Sequence, residues 1–168
     1  MKKIVCFFLS LLLLFVCSII VAQDNVLNKK ESEQGWQLLF NGENLDGWTS
    51  VGKETPPTLG WEIRDGVLTV KKEGDKRGGD IITREKYSNF DLKIDFRITE
   101  GANSGIKYFV DTNLNKGEGS AIGCEFQILD DKRHLDAKLG IAGNRTLGSL
   151  YDLISAPESK PFRDGSFN

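Results

Sequence analysis

A short segment of alternating residues, 123–129, and the loop after it carry the side chains best suited to acid–base chemistry. Glu125 and Gln127 point to one side of this predicted strand, since side chains alternate along extended backbone. A carboxylate beside an amide on an exposed strand face can move protons and bind sugar hydroxyls. Asp130 ends the strand, and His134, the only histidine of the chain, follows in a polar loop.

Two kinds of chemistry are open to these residues. Glu125 or His134 can serve as a general base, and Asp130 as an acid. Alternatively, Glu125 and His134, together with Asp130, offer oxygen and nitrogen ligands for a divalent metal ion, which is the one cofactor that the sequence suggests. Their spacing is not a metal-binding signature. A solvated strand face followed by a surface histidine is the plain structural alternative.

Three residues outside this segment could contact a substrate. Lys107, in a predicted strand, could place its ammonium group against a polar group of a ligand, and Arg145 could anchor a hydroxyl or a carboxylate. Tyr151 could stack on a pyranose ring or donate a proton as a second acid. The structural alternatives are an exposed solubilising lysine and a tyrosine packed over the rim of the sheet.

The composition is that of a single globular domain. The 168 residues are 39% hydrophobic and 27% charged, which excludes the collagen, coiled-coil and disordered classes. The formal net charge is −2. This charge argues against nucleic acid as a partner, because nucleic-acid binding needs a clustered basic surface.

The first 22 residues differ in character from the rest of the chain. A basic start precedes an uncharged apolar run from Ile4 to Ala22, which is the pattern of a secretory signal peptide with cleavage before Gln23. We therefore expect an exported protein, periplasmic or extracellular. It would associate with a membrane only if residues 1–22 stay uncleaved as an anchor. Residues 23–34 are polar and predict a flexible spacer.

Residues 35–168 predict one all-β domain. Period-two alternation is clearest over 90–99, and a hairpin is predicted around Asp65 and Gly66 between strands 61–63 and 67–70. Several short strands separated by turn residues favour a two-sheet sandwich or jelly roll. Further strands are predicted at 36–40, 80–83, 105–111, 123–129 and 149–154.

The C-terminal part of the chain, 156–168, has the proline and glycine content of a loop. A two-sheet sandwich usually needs more strands than the sequence supplies. The sequence therefore predicts a domain truncated at its C-terminal end, and we expect the apolar face of 90–99 to be partly uncovered.

Five segments, taken in order, resemble one protein family. They are GWQLLFNG at 35–42, WEIRDGVL at 61–68, NSGI at 103–106, EFQILD at 125–130 and GSLYD at 148–152. Over 35–168 the sequence resembles the 3-keto-disaccharide hydrolase, or 3-keto-glucoside lyase/hydratase, domain family. The resemblance implies a jelly-roll sandwich similar to the concanavalin A-like lectins and glucanases.

The resemblance also implies a function. It is that of an exported carbohydrate-active enzyme that cleaves 3-keto-glycosides or 3-keto-disaccharides, by elimination across C1–C2 followed by hydration. The residues expected to carry catalysis are Glu125, His134, Tyr151 and Asp130. The residues expected to bind the glycoside are Lys107, Gln127 and Arg145, and the candidate metal ligands are Glu125 and His134.

Two alternative functions stay open at this point. A lectin-like module that binds carbohydrate without catalysis would share the fold, because a fold does not determine its function. In addition, Glu125-x-Gln127-x-x-Asp130 resembles the Glu-x-Asp-x-x-Glu signature of retaining β-glucanases. That chemistry needs two carboxylates about 5–5.5 Å apart. A β-bulge would be required to bring Glu125 and Asp130 to the same face.

Overall fold

In the computed structural model, residues 24–71, 78–114, 117, 119–157 and 166–167 are described. Nearly all regular structure in this part is β: β1 Trp48–Ser50, β2 Trp61–Arg64, β3 Val67–Val70, β4 Ile81–Thr83, β5 Asn103–Asp111 and β6 Ile122–Leu129. Its helical elements are α1, Lys29–Glu33, and a 3-10 helix, Leu135–Lys138. No helix within these residues is long and apolar enough to cross a membrane.

The strands pair as three antiparallel two-stranded sheets, β1–β4, β2–β3 and β5–β6. The β2–β3 pair confirms the hairpin predicted from the sequence. Its loop residues, Asp65 and Gly66, have φ angles of 50° and 76°. These left-handed values are those of a type I′ turn, whose twist matches that of the paired strands.

The β5–β6 ladder is the longest and positions the candidate site. Its register runs without interruption from Asn103, opposite Leu129, as far as Tyr108, and shifts just beyond. The shift contains Phe109, whose φ of 51° interrupts the extended backbone. Directly paired residues point to the same side of a sheet. The ladder therefore has one polar face and one apolar face.

The apolar face of the β5–β6 ladder packs against the main hydrophobic cluster. Ile98, Ile128 and Leu147 are the buried members of this cluster. Three partly buried side chains, Phe96, Ala102 and Ile106, pack against them. The cluster thus joins the segment before β5, the two strands and the loop after β6.

Residues 147–151 run along the outer edge of β6 and extend the ladder by irregular backbone bonds. The N–H of Gln127 donates to the carbonyl of Ser149 at 3.0 Å. The N–H of Tyr151 donates to the carbonyl of Glu125 at 2.8 Å. This third segment therefore lies directly beside the residues that were singled out for chemistry.

Residues 90–99 show the clearest alternation in the sequence, yet the prediction of a strand there is wrong. No segment of the described chain pairs with them, and Phe90 and Ile94 are 43% and 52% exposed. Only Phe96 and Ile98 reach the hydrophobic cluster. Alternation indicates which side chains share a face, but a β-strand also needs a neighbour that supplies hydrogen bonds.

The other strand predictions had mixed outcomes. The strands at 80–83, 105–111 and 123–129 are confirmed as β4, β5 and β6, with ends displaced by one or two residues. The strand predicted at 36–40 is absent, and β1 was not predicted. The segment 149–154 contains only isolated bridges, because it folds into a tight turn that pairs Leu150 with Ile154.

The predicted spacer contains a short helix. Asn28 caps α1 by accepting a hydrogen bond from the N–H of Glu31, whose carboxylate accepts in return from the N–H of Asn28. This capping box stabilises the first turn, which a reading based on polarity alone overlooks. The signal peptide predicted for 1–22, and most of the predicted loop at 156–168, lie outside the described residues.

Candidate functional site

Glu125 lies on the polar face of β6, opposite Lys107 of β5. Its side chain reaches across to β5, so that a methyl group on Gly105 would collide with Oε1 of Glu125. The glycine therefore leaves a notch in the sheet surface, and the carboxylate lies in this notch. On β5 the notch falls between Asn103 and Lys107, the neighbouring positions on the same face.

Gln127 shares this face but is buried, so the prediction of a solvated face is wrong at this position. Its side chain is 1% exposed, and its amide lies 3.4 Å from that of Asn103. Its Oε1 and the hydroxyl of Ser149, which is also fully buried, have no hydrogen-bond partner within the described residues. Such unpaired buried groups are costly, so these two atoms need an explanation.

His134 meets the polar face from the loop after β6. Its Nε2 lies 3.5 Å from the Asn103 amide, and its Nδ1 accepts a hydrogen bond from the N–H of Asp136 at 3.2 Å. The second contact caps the 3-10 helix. Because both ring nitrogens are engaged, the roles predicted for His134 as base or metal ligand require one of these contacts to open.

Asp136 connects the loop of His134 to Arg145 and Tyr151. It accepts hydrogen bonds from Arg145 at 3.2 Å and from the Tyr151 hydroxyl at 2.9 Å. Arg145 also donates twice to Asp152, at 2.8 and 3.0 Å. The hydrogen bonds to Asp152 and Asp136 raise the pKa of Arg145. Burial, followed by the hydrogen bond to Asp136, raises the pKa of Tyr151, so this hydroxyl keeps its proton.

Lys107 is held beside the site by an ion pair. Its Nζ donates to Oδ2 of Asp80 at 2.6 Å and to the carbonyl of Ala121 at 3.1 Å. The same carboxylate oxygen accepts from the N–H of Ala121 at 3.2 Å. These bonds use two of the three ammonium hydrogens, so Lys107 can offer one more to a ligand without breaking its ion pair.

Asp130 is bound into the loop that follows β6. It accepts hydrogen bonds from the N–H of Gly101 at 2.8 Å, from the N–H of Lys132 and from the Arg133 guanidinium. The Gly101 bond is the main cause that lowers the pKa of Asp130, and Arg133 and Lys132 add to it. A carboxyl with a lowered pKa is a poor general acid. The structure thus favours a loop-stabilising role for Asp130.

The register of β6 also bears on the glucanase alternative. The ladder shows no bulge between Glu125 and Leu129, so alternation places Asp130 away from the face of Glu125. The carboxylate pair that retaining hydrolysis needs is therefore not formed by these two residues.

The metal hypothesis lacks a full ligand set. Within the described residues, no three His, Cys, Asp or Glu side chains lie close enough together to hold a metal ion. The carboxylate of Asp130, the third ligand that the sequence suggested, is bound to Gly101 and Arg133 instead. The described residues therefore do not form a complete set of metal ligands.

The structure brings Glu125, Gln127 and Lys107 to one sheet face, with His134 against its edge. Arg145 and Tyr151 lie one contact further away, behind Asp136. Sequence reasoning did not name three contributors to the site: Asn103, Gly105 and Asp136. The spacing offered one signal. Gly105 and Lys107 occupy alternate positions of the predicted strand 105–111, and Asn103 continues the same spacing just before it, so the three share one face in β5.

These features define a class of protein. It is an all-β protein whose longest ladder carries, on one face, a carboxylate in a glycine notch beside linked amides and an imidazole. The family model of the 3-keto-alpha-glucoside-1,2-lyase-like domain matches residues 35–168, and the chain belongs to this family. The resemblance seen in the sequence is thereby confirmed.

Two similar proteins extend this result. The 3-keto-disaccharide hydrolase of Bacteroides thetaiotaomicron is 34% identical over 160 residues, which cover 86% of this chain and 55% of that protein. A crystal structure of a candidate glycosyl hydrolase from Parabacteroides distasonis matches with a TM-score of 0.69 and 30% identity, over 86% of this chain and 66% of that one. The match confirms the predicted all-β, jelly-roll type of fold. The chain spans about half the length of the curated relative.

Proposed function

We propose that this protein is a glycoside-cleaving enzyme that acts on 3-keto sugars, with Glu125 as its base. The observation that carries the proposal is the position of the Glu125 carboxylate. It lies in the Gly105 notch, on the same face as Asn103 and Lys107. The family and the 3-keto-disaccharide hydrolase of Bacteroides thetaiotaomicron support this substrate class.

The proposed reaction is elimination followed by hydration. The ketone at C3 acidifies the C2 hydrogen, so a carboxylate can remove it as a proton. The C2–H electron pair then forms an enolate, which expels the oxygen on C1 as the C1–O bond breaks. Glu125, now protonated, returns the proton to the leaving oxygen. Water adds at C1 of the resulting enone, and C2 regains a proton.

The neighbours of Glu125 have roles in this scheme. Lys107, directly opposite Glu125, keeps one ammonium hydrogen for the ketone oxygen and places a positive charge where the enolate forms. Gln127 helps to hold Asn103 in place, because it lies buried beside it on the same face. Arg145 and Tyr151 hold the loop of His134 through Asp136, and this loop forms the edge of the site.

The test compares a 3-keto-disaccharide with the same unoxidised disaccharide, in water and in D₂O. Elimination predicts deuterium at C2 of the product, whereas direct hydrolysis at C1 leaves the C2 hydrogen in place. Glu125→Gln should lower turnover by about 10²-fold, the scale of a lost acid–base group. The control is Glu62→Gln on β2, a carboxylate that forms ion pairs with the surface cations Arg64 and Lys71.

Three results would revise the proposal. Full activity of Glu125→Gln in a folded protein would place the base elsewhere. Binding of both sugars without turnover would favour a lectin-like module. Cleavage of the unoxidised disaccharide without exchange at C2 would favour a direct glycosidase.

We also propose that the protein is exported. The basic start and the apolar run up to Ala22 support a signal peptide. N-terminal sequencing of the secreted protein should begin at Gln23. Recovery of residues 4–22, intact, in the membrane fraction would instead show an uncleaved anchor.

A further inference from the structure

The hydrogen bonds around His134 determine where its ring proton lies. The N–H of Asp136 donates to Nδ1 of His134 at 3.2 Å. A backbone N–H can only donate, so Nδ1 carries its lone pair and the neutral ring carries its proton on Nε2. Nδ2 of Asn103 lies 3.5 Å from this Nε2. Two nitrogens that both carry hydrogen cannot bond to each other, and the O and N of an amide can exchange places without moving any other atom. The oxygen of Asn103, rather than its nitrogen, must therefore face His134.

The orientation of the Asn103 amide in turn determines the orientation of the Gln127 amide on the same face. In the structure Nε2 of Gln127 donates to Oδ1 of Asn103 at 3.4 Å. Once Oδ1 of Asn103 accepts from His134 instead, the NH₂ group of Asn103 takes its place and faces the Gln127 amide. Gln127 must then present Oε1 to it, since two NH₂ groups cannot bond to each other. Oε1 of Gln127 is one of the two buried side-chain atoms that have no other partner among the described residues.

The hydroxyl of Ser149, the second such atom, is not explained by this orientation. A hydroxyl can donate to an amide oxygen, yet Ser149 makes no such bond to Oε1 of Gln127. The NH₂ group of the reoriented Gln127 takes the former place of Oε1, so the direction of donation from His134 through Asn103 accounts for Oε1 alone.

We propose that His134 is a positioning residue: its Nε2–H donates to Asn103, and this turns the Asn103 NH₂ group towards Gln127 and the Glu125 carboxylate. Gln127 is paired with Gly105, over which the carboxylate lies, so the NH₂ group is on the side of the base. One of its hydrogens bonds to Gln127 and the other is free for an oxygen of the bound sugar. This last step rests on the proposed function.

The single histidine of the chain makes a direct test possible. The full chain, carrying a tag without histidine, is labelled with ¹⁵N in the imidazole ring, and the two ring nitrogens are read by NMR. We expect the Nε2–H tautomer with its proton protected from solvent exchange. Asn103→Leu should abolish the protection, and Asn103→Asp, which keeps an acceptor oxygen, should retain it. Asn113→Leu, beyond the far end of β5, is the control and should change nothing.

Turnover of a 3-keto-disaccharide supplies the second arm. His134→Gln keeps a donor for Asn103 and should retain most of kcat/KM, whereas His134→Leu should lose about 10-fold, the scale of one hydrogen bond. A base or a metal ligand would fail alike in both variants. Equal losses, an Nδ1–H tautomer, or protection that persists in Asn103→Leu would each overturn the proposal.

The two arms separate this proposal from the proposed function. If the wild type turns over no 3-keto sugar, the proposed function fails. The NMR arm still decides whether His134 donates to Asn103. If His134→Leu or Asn103→Leu melts early, Asn103→Ser provides the same loss of contact with a smaller change in shape.

Discussion

Two neighbouring residues of β6, one on each face of the β5–β6 ladder, are covered in the opposite way to what their polarity suggests. On the polar face Gln127 is 1% exposed, whereas Phe126, its neighbour on the apolar face, is 37% exposed. The loop 130–136 contacts the polar face at Asn103, and the segment 147–151 extends the ladder along the outer edge of β6. The apolar face is contacted by a small cluster around Ile128.

This difference shows what alternation does and does not determine. It assigns side chains to faces, but burial depends on which segments later cover each face. A covered polar face is tolerated only if its hydrogen bonds are made, so its geometry must be specific. An open apolar face only forgoes hydrophobic stabilisation, about 25 cal/mol per Å², and tolerates variation. A polar face with specific hydrogen bonds is therefore the better place for a site.

The largest expected effect concerns the apolar face. Ile128→Ala should cost about 2–5 kcal/mol of unfolding free energy, because Ile128 is a buried member of the cluster and leaves a cavity. Phe126→Ala should cost less than Ile128→Ala, although phenylalanine is the larger residue. Truncating a fully buried Phe to Ala costs about 3–5 kcal/mol, but Phe126 is partly exposed and so loses less. Urea unfolding of both variants measures the order. A larger cost for Phe126→Ala would mean that the apolar face is covered in solution.

The next prediction concerns the notch on the polar face. Gly105→Ala should lower turnover by about 10²-fold, because the new methyl group displaces the Glu125 carboxylate from its position. Stability should change little, since a flexible side chain can move away. Gly47→Ala is the matched control, because a methyl group there meets nothing closer than the Leu39 carbonyl at 3.9 Å. If Gly105→Ala retains full activity, the notch does not position the base.

Sequence reasoning predicted the strands β5 and β6 and placed Glu125 and Gln127 on one face, but it did not predict the contacts that the polar face makes with distant segments. Glu125 and Gln127 could be placed on one face because their alternation is local. The bond between Asn103 and His134 joins residues that are 31 positions apart, so no local pattern reports it. The same limit explains the failed strand at 90–99, since pairing depends on a distant partner.

A smaller effect is expected where the loop 130–136 begins. The hydrogen bond from Gly101, with Arg133 and Lys132, lowers the pKa of Asp130 below its ordinary 3.8. When the pKa of a carboxyl is lower in the folded than in the unfolded protein, its ionisation stabilises the fold at pH values above the ordinary pKa. This stabilisation is lost as the pH falls through the pKa of the folded state. Below about pH 4 the wild type should therefore lose stability more steeply than Asp130→Asn. Thermal melts between neutral and acidic pH measure the two slopes. Parallel slopes would contradict this account.

The smallest effect is expected at alkaline pH, at the outer support of the polar face. Burial and the hydrogen bond to Asp136 raise the pKa of Tyr151 above its ordinary 10.0, although the charge of Arg145 opposes the shift. When the pKa of a group is higher in the folded than in the unfolded protein, its protonated form stabilises the fold. This stabilisation is complete at pH values below the ordinary pKa and is lost as the pH rises through the pKa of the folded state. The wild type should therefore lose stability above pH 10.0, and Tyr151→Phe should lose less.

At neutral pH Tyr151→Phe should cost about 1 kcal/mol of unfolding free energy, the scale of one hydrogen bond, because Asp136 keeps its bond to Arg145. Tyr87→Phe, at an exposed tyrosine, is the control for denaturation curves recorded on both sides of this pH. If Tyr151→Phe loses stability as steeply as the wild type, Tyr151 does not support the loop that contacts the polar face.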